Sequence, residues 1–519
     1  MARRRIPWRM EDFRGEDSVT SPTDQDVFGR QHGARLALAR GYHWIGQGRA
    51  RKRYGYKRLI TAAVSGGAGQ GLFHRRVNGT STLIAVANGE VKAYNEGAGT
   101  WTDLTAGTPT AGANVRSRWG RFNDGATAWT LHCNGTDQPW LWDGNTANDI
   151  QYISAIDGAA PTEAVGFTSF HGHPMILTPY DLHYSDYGSI RSFSTGGKIA
   201  TTRDSRAIAL ELASRDVLWI FYEDEIYRVE FQPPGAMSTW RSLPVEGSEP
   251  CVSPSSIITK DGATYYAADR GIHRLRKING PSEFVGHRIQ TFWDECNRSR
   301  KAQVQAISRG DPWNEVMWLV SHGTSTTHNA VLVYNTVLDA WSIFPVALTS
   351  GKMEFNAGAN FIDTNGIPRT ICIDYSGVAW QCWGHAAADS GYTDDGAPVK
   401  TTFGLGWLNY GWSGITYTRQ MIVDGEFPTD KTFTLTAEPM GKNPITKIFP
   451  IGAGGKLLDV DFILDESVLS TSTISQAQTK LVTDARYLQV TLEEQNEDVP
   501  HVISSVDFPH RRGGLRMVA

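Results

Sequence analysis

Long apolar runs are missing from this sequence. No stretch comes near the roughly 20 apolar residues that a membrane-spanning helix needs, so no such segment is expected. Cysteine is scarce. Cys133, Cys251, Cys296, Cys372 and Cys382 are scattered, odd in number and without a Cys-x-x-Cys pair. They read as buried thiols in a reducing compartment, which argues against a disulfide framework or a zinc site. The basic start Met1-Ala2-Arg3-Arg4-Arg5 leads into Ile6-Pro7-Trp8 with no apolar core behind it, so no secretion signal is expected. Charged residues make up 20% and aromatics 11%, a balance that excludes disorder throughout. Helical periodicity is nearly absent. One short helix is predicted around residues 289–293, where Ile289, Phe292 and Trp293 share a face.

What the chain has is short apolar strands that end on tryptophan or tyrosine, joined by turns rich in glycine and asparagine. The clearest is Leu83-Ile84-Ala85-Val86-Ala87, then Asn88-Gly89, then Val91-Lys92-Ala93-Tyr94, closing on Trp101. Asn-Gly between strand-like runs marks a type I′ hairpin, because both central residues need positive φ. The pattern recurs at 128–142, 174–193, 217–229, 263–275 and 316–341, and in part at 370–380. The spacing of roughly 40–55 residues suits four-stranded propeller blades. Trp142-Asp143 and Trp293-Asp294 lack an upstream Gly-His pair, so the full WD signature is missing, and no kelch pattern is present. A series of β-sandwiches is the competing architecture. The expected fold is all-β: an irregular β-propeller with an additional β-sandwich or platform formed by the chain ends.

Three regions follow. Residues 1–60 form an irregular arm with strand-like stretches at 35–40 and 42–45 and the basic segment 46–56. Residues 61–395 form the propeller. Residues 396–519 form a C-terminal sandwich, in which Thr432-Phe433-Thr434-Leu435-Thr436, Tyr487–Leu492 and Val502–Val506 alternate as strands with one wet face do. Residues 1–60 hold 14 Lys/Arg against 6 Asp/Glu, a net +8, so the remainder carries −12 of an overall −4. Nine acidic residues lie between Asp459 and Asp498. Such asymmetry suits two oppositely charged surfaces, although solvated faces without a partner give the same pattern.

Signals for chemistry are thin. Gly66-Gly67-Ala68-Gly69-Gln70-Gly71 lacks nucleotide-loop spacing and a following helix, and reads as a flexible loop between strands. His171-Gly172-His173 offers two candidate metal ligands, but Gly172 and Pro174 favour a turn, and Asp181 and His183 lie a strand away. Asn78-Gly79-Thr80 and Asn134-Gly135-Thr136 fit glycosylation acceptors but read as turns. Ser185-Asp186-Tyr187-Gly188 is a lone, distant echo of a sialidase Asp box, and no Gly-x-Ser-x-Gly elbow appears. No enzyme activity and no cofactor are predicted. The arm could meet nucleic-acid phosphates, with Trp8, Tyr42, Trp44, Tyr54 and Tyr56 as a stacking surface. The favoured alternative docks it on a neighbouring subunit through Arg49, Arg51, Lys52 and Arg53.

An ordered set of motifs runs through the chain. Gly46–Tyr56 carries a Gly-x-Gly-Arg stretch and a Lys-Arg-Tyr-Gly-Tyr turn. Then come Gly172–Leu177 with Leu182–Ser185 and Phe193, Trp219–Phe221 with Ile226-Tyr227, Val331–Asn335 with Ala340–Ser342, and a terminal strand near Arg511–Gly514. This order resembles the tail nozzle (tail tubular protein B-like) family of short-tailed bacteriophages, and more loosely phage proteins that plug packaged DNA. The resemblance implies a homo-hexamer below an adaptor ring in the virion tail, made in the host bacterial cytoplasm. Tail fibres or spikes are further candidate partners, and double-stranded DNA would pass through the ring without sequence specificity. No catalytic residues carry over. A conduit should not hold its cargo tightly, so Glu493, Glu494, Glu497 and Asp498 are candidate channel-facing acids. The alternative function is a carbohydrate-binding or glycan-cleaving propeller of a tail protein.

Overall fold

In a computed structural model of the chain, the residues described are 9–11, 36–46, 49–105, 109–193, 197–199, 205–230, 240–276, 280–310, 312–344, 354–384, 391–408, 416–427, 431–451, 475–485, 488–494, 500–508 and 510–512. Seven antiparallel blades follow one another, at residues 69–103, 118–152, 166–199, 207–244, 258–284, 305–344 and 355–382. The first strand of each blade lies innermost, and that of blade 7, Phe355–Ile362, packs beside that of blade 1, Gly69–Val77, closing the ring. Each repeat read from the sequence supplies the two middle strands of one blade, so seven hairpins give seven blades.

Blade 7 is completed from the other end of the chain. Its fourth strand is Tyr56–Arg58, antiparallel to Ala379–Cys382, with Trp380 opposite Arg58 and Cys382 opposite Tyr56, and the short strands Thr393–Asp394 and Ala397–Pro398 lie beyond it. The boundary expected at residue 60 is therefore corrected: the last residues of the arm belong to the propeller.

Middle strands are buried on both faces because a blade is sandwiched between its neighbours. Every residue of Val217–Tyr222, Glu315–Val320 and Ala330–Asn335 is buried. Inner strands approach so closely that glycine is required where blades meet. A Cβ on Gly120 would lie 2.0 Å from the Phe167 ring, and one on Gly358 would lie 2.3 Å from Ile307. The glycine run at 66–71 obeys the same rule. Gly69 and Gly71 start the inner strand of blade 1 and are buried, and a Cβ on Gly69 would meet Ile373 at 2.5 Å, so this part is packed core and no flexible loop. Turns are locked by side chains: Trp129 Nε1 donates to Asp124 Oδ2 (2.6 Å) and Trp380 Nε1 to Asp374 Oδ2 (2.9 Å). Asn78-Gly79 and Asn88-Gly89 both take positive φ, as the hairpin signal requires. The short helix forms at Gln290–Asp294 and buries Phe292 and Trp293.

The chain ends build a β-sandwich beside blades 6 and 7. One sheet runs Tyr42–Gly46, Arg49–Lys52, Val502–Asp507, Thr416–Glu426, Ser475–Ala485, with Arg9–Glu11 and His510–Arg512 at its margins. The other runs Leu36–Arg40, Thr401–Leu408, Leu488–Glu494, Lys431–Pro439, Ile445–Ile451. Through a parallel contact of Arg40 with Ile343 this second sheet continues the four strands of blade 6, giving nine strands from the propeller centre to the platform edge. The sandwich core joins Tyr42, Trp44 and Ala50 of the arm to Phe403, Phe433, Val490 and Ile503.

Candidate functional site: the platform junction and the propeller axis

The segment between Gly41 and Arg58 passes from platform to propeller and carries most of the charge that the chain buries there. Lys52 Nζ lies 2.6 Å from Glu494 Oε2, and neither side chain is exposed. Arg53 holds Asp394 by two parallel bonds, Nη1 to Oδ1 at 2.8 Å and Nη2 to Oδ2 at 2.5 Å, with Phe344 beneath the guanidinium. His43 Nδ1 is 2.7 Å from Glu315 Oε1, and Arg309 Nη1 donates to Glu315 Oε2 at 2.9 Å. Burial pulls His43 down to about 4, so its ring is neutral and its Nδ1–H donates to Glu315. Burial alone would raise Glu315, but His43 and Arg309 hold it below the usual carboxylate range. Lys52, Arg53 and Arg309 thus balance Glu494, Asp394 and Glu315, which removes the cost of an unpaired interior charge.

Backbone contacts fasten the same segment. Trp44 Nε1 donates to the Trp341 carbonyl (3.1 Å), and Ser342 Oγ donates to that of Tyr42 (2.8 Å). Gly55 has no room for a side chain, because a Cβ would stand 1.8 Å from the Thr393 carbonyl oxygen. The Tyr-Gly-Tyr element is therefore a crossing of two backbones.

These positions correct several expectations. Glu494 is buried against Lys52 and cannot face a channel; Glu493 is partly buried on the next position of the strand, and Glu497 and Asp498 lie outside the described residues. Lys52 and Arg53 are spent within the chain and offer nothing to a neighbour. Arg49, 42% exposed, pairs with Glu426, and Arg51 reaches Tyr54 and Tyr392. Tyr42, Trp44, Tyr54 and Tyr56 are core residues, which removes them as a nucleic-acid stacking surface, while Trp8 lies outside the described residues. Alternating charge and aromatics in 49–56 marked the segment but could not reveal partners hundreds of positions away.

At the propeller axis, two arginines at the start of blade 2 reach in opposite directions. Arg116 donates to the carbonyls of Asn356 in blade 7 and Gln303 before blade 6. Arg118 donates to those of Val165 and Ile208, at blades 3 and 4, each at 2.5 Å. Burial pulls Arg116 down to about 10, against the opposing pull of Tyr375. Side chains therefore bridge this end of the axis. Beside Arg118 lies an open cleft of about 220 Å³ lined by Asn134, Arg206, Glu223 and Pro254 among others. Among the described residues Glu223 is the carboxylate in its lining.

His171 and Gly172 form a positive-φ turn, and His173 Nδ1 bonds the Ser185 carbonyl at 3.0 Å. Among the described residues no three His, Cys, Asp or Glu side chains converge as metal ligands. All five cysteines are buried and free. No helix among the described residues is long and apolar enough to cross a membrane.

No protein-family model and no curated protein matches the chain. Among solved structures, it is similar to Raptor of Chaetomium thermophilum (TM-score 0.40, 10% identity, 64% of this chain and 30% of that one). It is also similar to the N-terminal domain of Nup159 (0.36, 12% identity, 67% and 97%) and to YCF48 bound to a D1 peptide (0.39, 11%, 64% and 94%). The chain thus spans under a third of Raptor and nearly all of the other two.

Proposed function

We propose that this chain is a non-catalytic structural subunit of a bacteriophage tail, a nozzle component that closes into a hexameric ring around a conduit for double-stranded DNA. The observation that carries the reading is the union of platform and propeller: one continuous nine-stranded sheet joins them, and the buried Arg53–Asp394 pair and the His43–Glu315 bond bridge the junction. A closed ring needs two complementary side surfaces held at a constant angle within each subunit, and a hinge between modules would smear that angle. The bridged propeller axis fits a conduit between copies, with none through the blades. The ordered motifs from Gly46 to Gly514 supply the family likeness, and with it an adaptor ring as the docking partner.

In this reading the genome is retained and then released by steric closure and by a bore that binds phosphates weakly. The −12 carried by residues 61–519 favours such a bore, with Glu493 the described candidate that keeps some exposure. Light scattering of the purified protein, alone and with its adaptor ring, tests the proposal. A six-copy ring is the expected result. A chain that stays solitary in both conditions would sink it, and a subunit-resolved map with a strongly basic bore would sink the electrostatic part.

A further inference from the structure

Arg116 and Arg118 bridge the same end of the propeller axis, but they spend their donors differently. Arg116 gives one terminal nitrogen to each of its two carbonyls, and its Nε is sealed in the interior without a partner. Arg118 gives Nη1 alone to both of its carbonyls, those of Val165 and Ile208. Among the described residues its Nε and Nη2 make no hydrogen bond, and neither is sealed away as the Nε of Arg116 is. In a planar guanidinium those two N–H groups point the same way, in the fork that two oxygens of one group match. Tying the blades together accounts for Nη1 and leaves this edge unused.

Val165 and Ile208, whose carbonyls bracket Nη1, line the cleft together with Arg118, which fixes the guanidinium at the cleft wall. Burial pulls Arg118 below the usual arginine range, and the carboxylate that acts on it, Glu211, is already bonded to Thr259. Among the described residues Arg118 forms no ion pair, so an anion beside it relieves a cation held away from water. Asn134 does not compete for a ligand: its Nδ2 donates to Asp137, and its Oδ1 accepts from the N–H groups of Thr136 and Asp137. Arg206 and Glu223 also line the cleft, where the Glu223 N–H donates to the Arg206 carbonyl (3.0 Å). Both are exposed, and neither forms an ion pair among the described residues. The Glu223 charge works against a doubly charged phosphate and suits a ligand that carries an ammonium beside its anion. Ala207, Ile208 and Pro254 add apolar lining. The volume equals about seven waters at roughly 30 Å³ each, which suits a molecule of similar heavy-atom count.

We propose that this cleft binds a small apolar amino acid, with its carboxylate on the Nε/Nη2 edge of Arg118 and its ammonium towards Glu223. The site is carried by one chain and stands apart from ring formation. The test is titration calorimetry of the full-length protein with four probes: L-valine, isovalerate (which lacks the ammonium), valinamide (which lacks the carboxylate) and inorganic phosphate. L-valine should bind, isovalerate should bind more weakly, and valinamide and phosphate should not bind measurably. Arg118→Lys keeps the charge but loses the fork, and should weaken L-valine by about tenfold or more. Glu223→Gln should weaken L-valine and leave isovalerate unchanged; its exposed position makes it the usable variant if Arg118→Lys fails to fold. Arg270→Ala, exposed on blade 5, should change nothing. No binding of L-valine, equal binding of isovalerate or valinamide, tighter binding of phosphate, or unchanged L-valine affinity in either cleft variant overturns the proposal.

Discussion

Propeller and platform meet the same demand, burial of strand surface, in opposite ways. In blade 6 every residue of Glu315–Val320 is buried, whereas Leu488–Glu494 in the platform alternates buried and half-buried positions. A blade has a neighbour on each face, so its strands can be apolar throughout. A sandwich strand has one wet face, so period two survives. The difference explains where charge goes. Glu315 sits in a strand with no wet side and must take its counter-charge, Arg309, and its hydrogen-bond donor, the neutral His43, inside with it. Most of the buried ion pairs therefore cluster where the two modules meet.

Acidification should break this arrangement most widely. Burial pulls His43 and His132 to about 4 and His328 to about 3, against an ordinary value of 6.5. Their folded values are depressed, so the unfolded chain takes up protons first and stability falls as pH drops from 6.5 towards 4. Glu315, held low, adds loss in the same direction. Glu211, which burial pushes up to about 7, works oppositely and loses stability as pH rises from 4.5 through 7. The expected outcome is a melting temperature that declines below pH 6.5, and a flat profile would refute it. Because His132 and His328 sit in the propeller and His43 at the junction, both modules should weaken together.

Glu315→Ala should cost about 3–5 kcal/mol in denaturant unfolding, because it strands a buried guanidinium. Replacing both partners of the other pair, Lys52→Met with Glu494→Leu, should be close to neutral, which separates the need for a partner from the need for charge. Within the propeller, Gly120→Val should cost about 1–3 kcal/mol by driving a side chain into Phe167, while the same change at the exposed turn glycine Gly441 of the platform should show only backbone strain. Smallest is Asp124→Ala, at about 1 kcal/mol, since it frees Trp129 Nε1 and two backbone donors near solvent. If that change instead matched Glu315→Ala, turn locking would rank with buried charge and the contrast between the two regions would fail.

Local signals were legible. Asn88-Gly89, Trp101 and the apolar runs between them announced a hairpin, and each of its relatives supplied the middle of one blade. Phe292 and Trp293 placed the helix, and alternation in 488–492 placed a sandwich strand. The rest depends on partners far along the chain. Nothing in Tyr56-Lys57-Arg58 says that it will pair with Trp380, and nothing in Lys52 says that its carboxylate is Glu494, 442 positions later. The glycine run at 66–71 misled for the same reason: its meaning lies in the side chain of Ile373. The candidate site fared worse than the fold because a basic stretch looks alike whether it meets solvent, a neighbour or its own interior.

Completion of blade 7 by Tyr56–Arg58 has a consequence for biogenesis. A ribosome releases those three residues early, yet the strand that receives them, Ala379–Cys382, emerges more than three hundred residues later. Until then the first segment must stay uncommitted, and the growing blades present an open flank. Joining such distant stretches is slow, so the nascent chain spends its longest exposure to aggregation just before the circle is shut. Tethering Arg58 to Trp380 early would be the most direct way to raise the yield of folded protein.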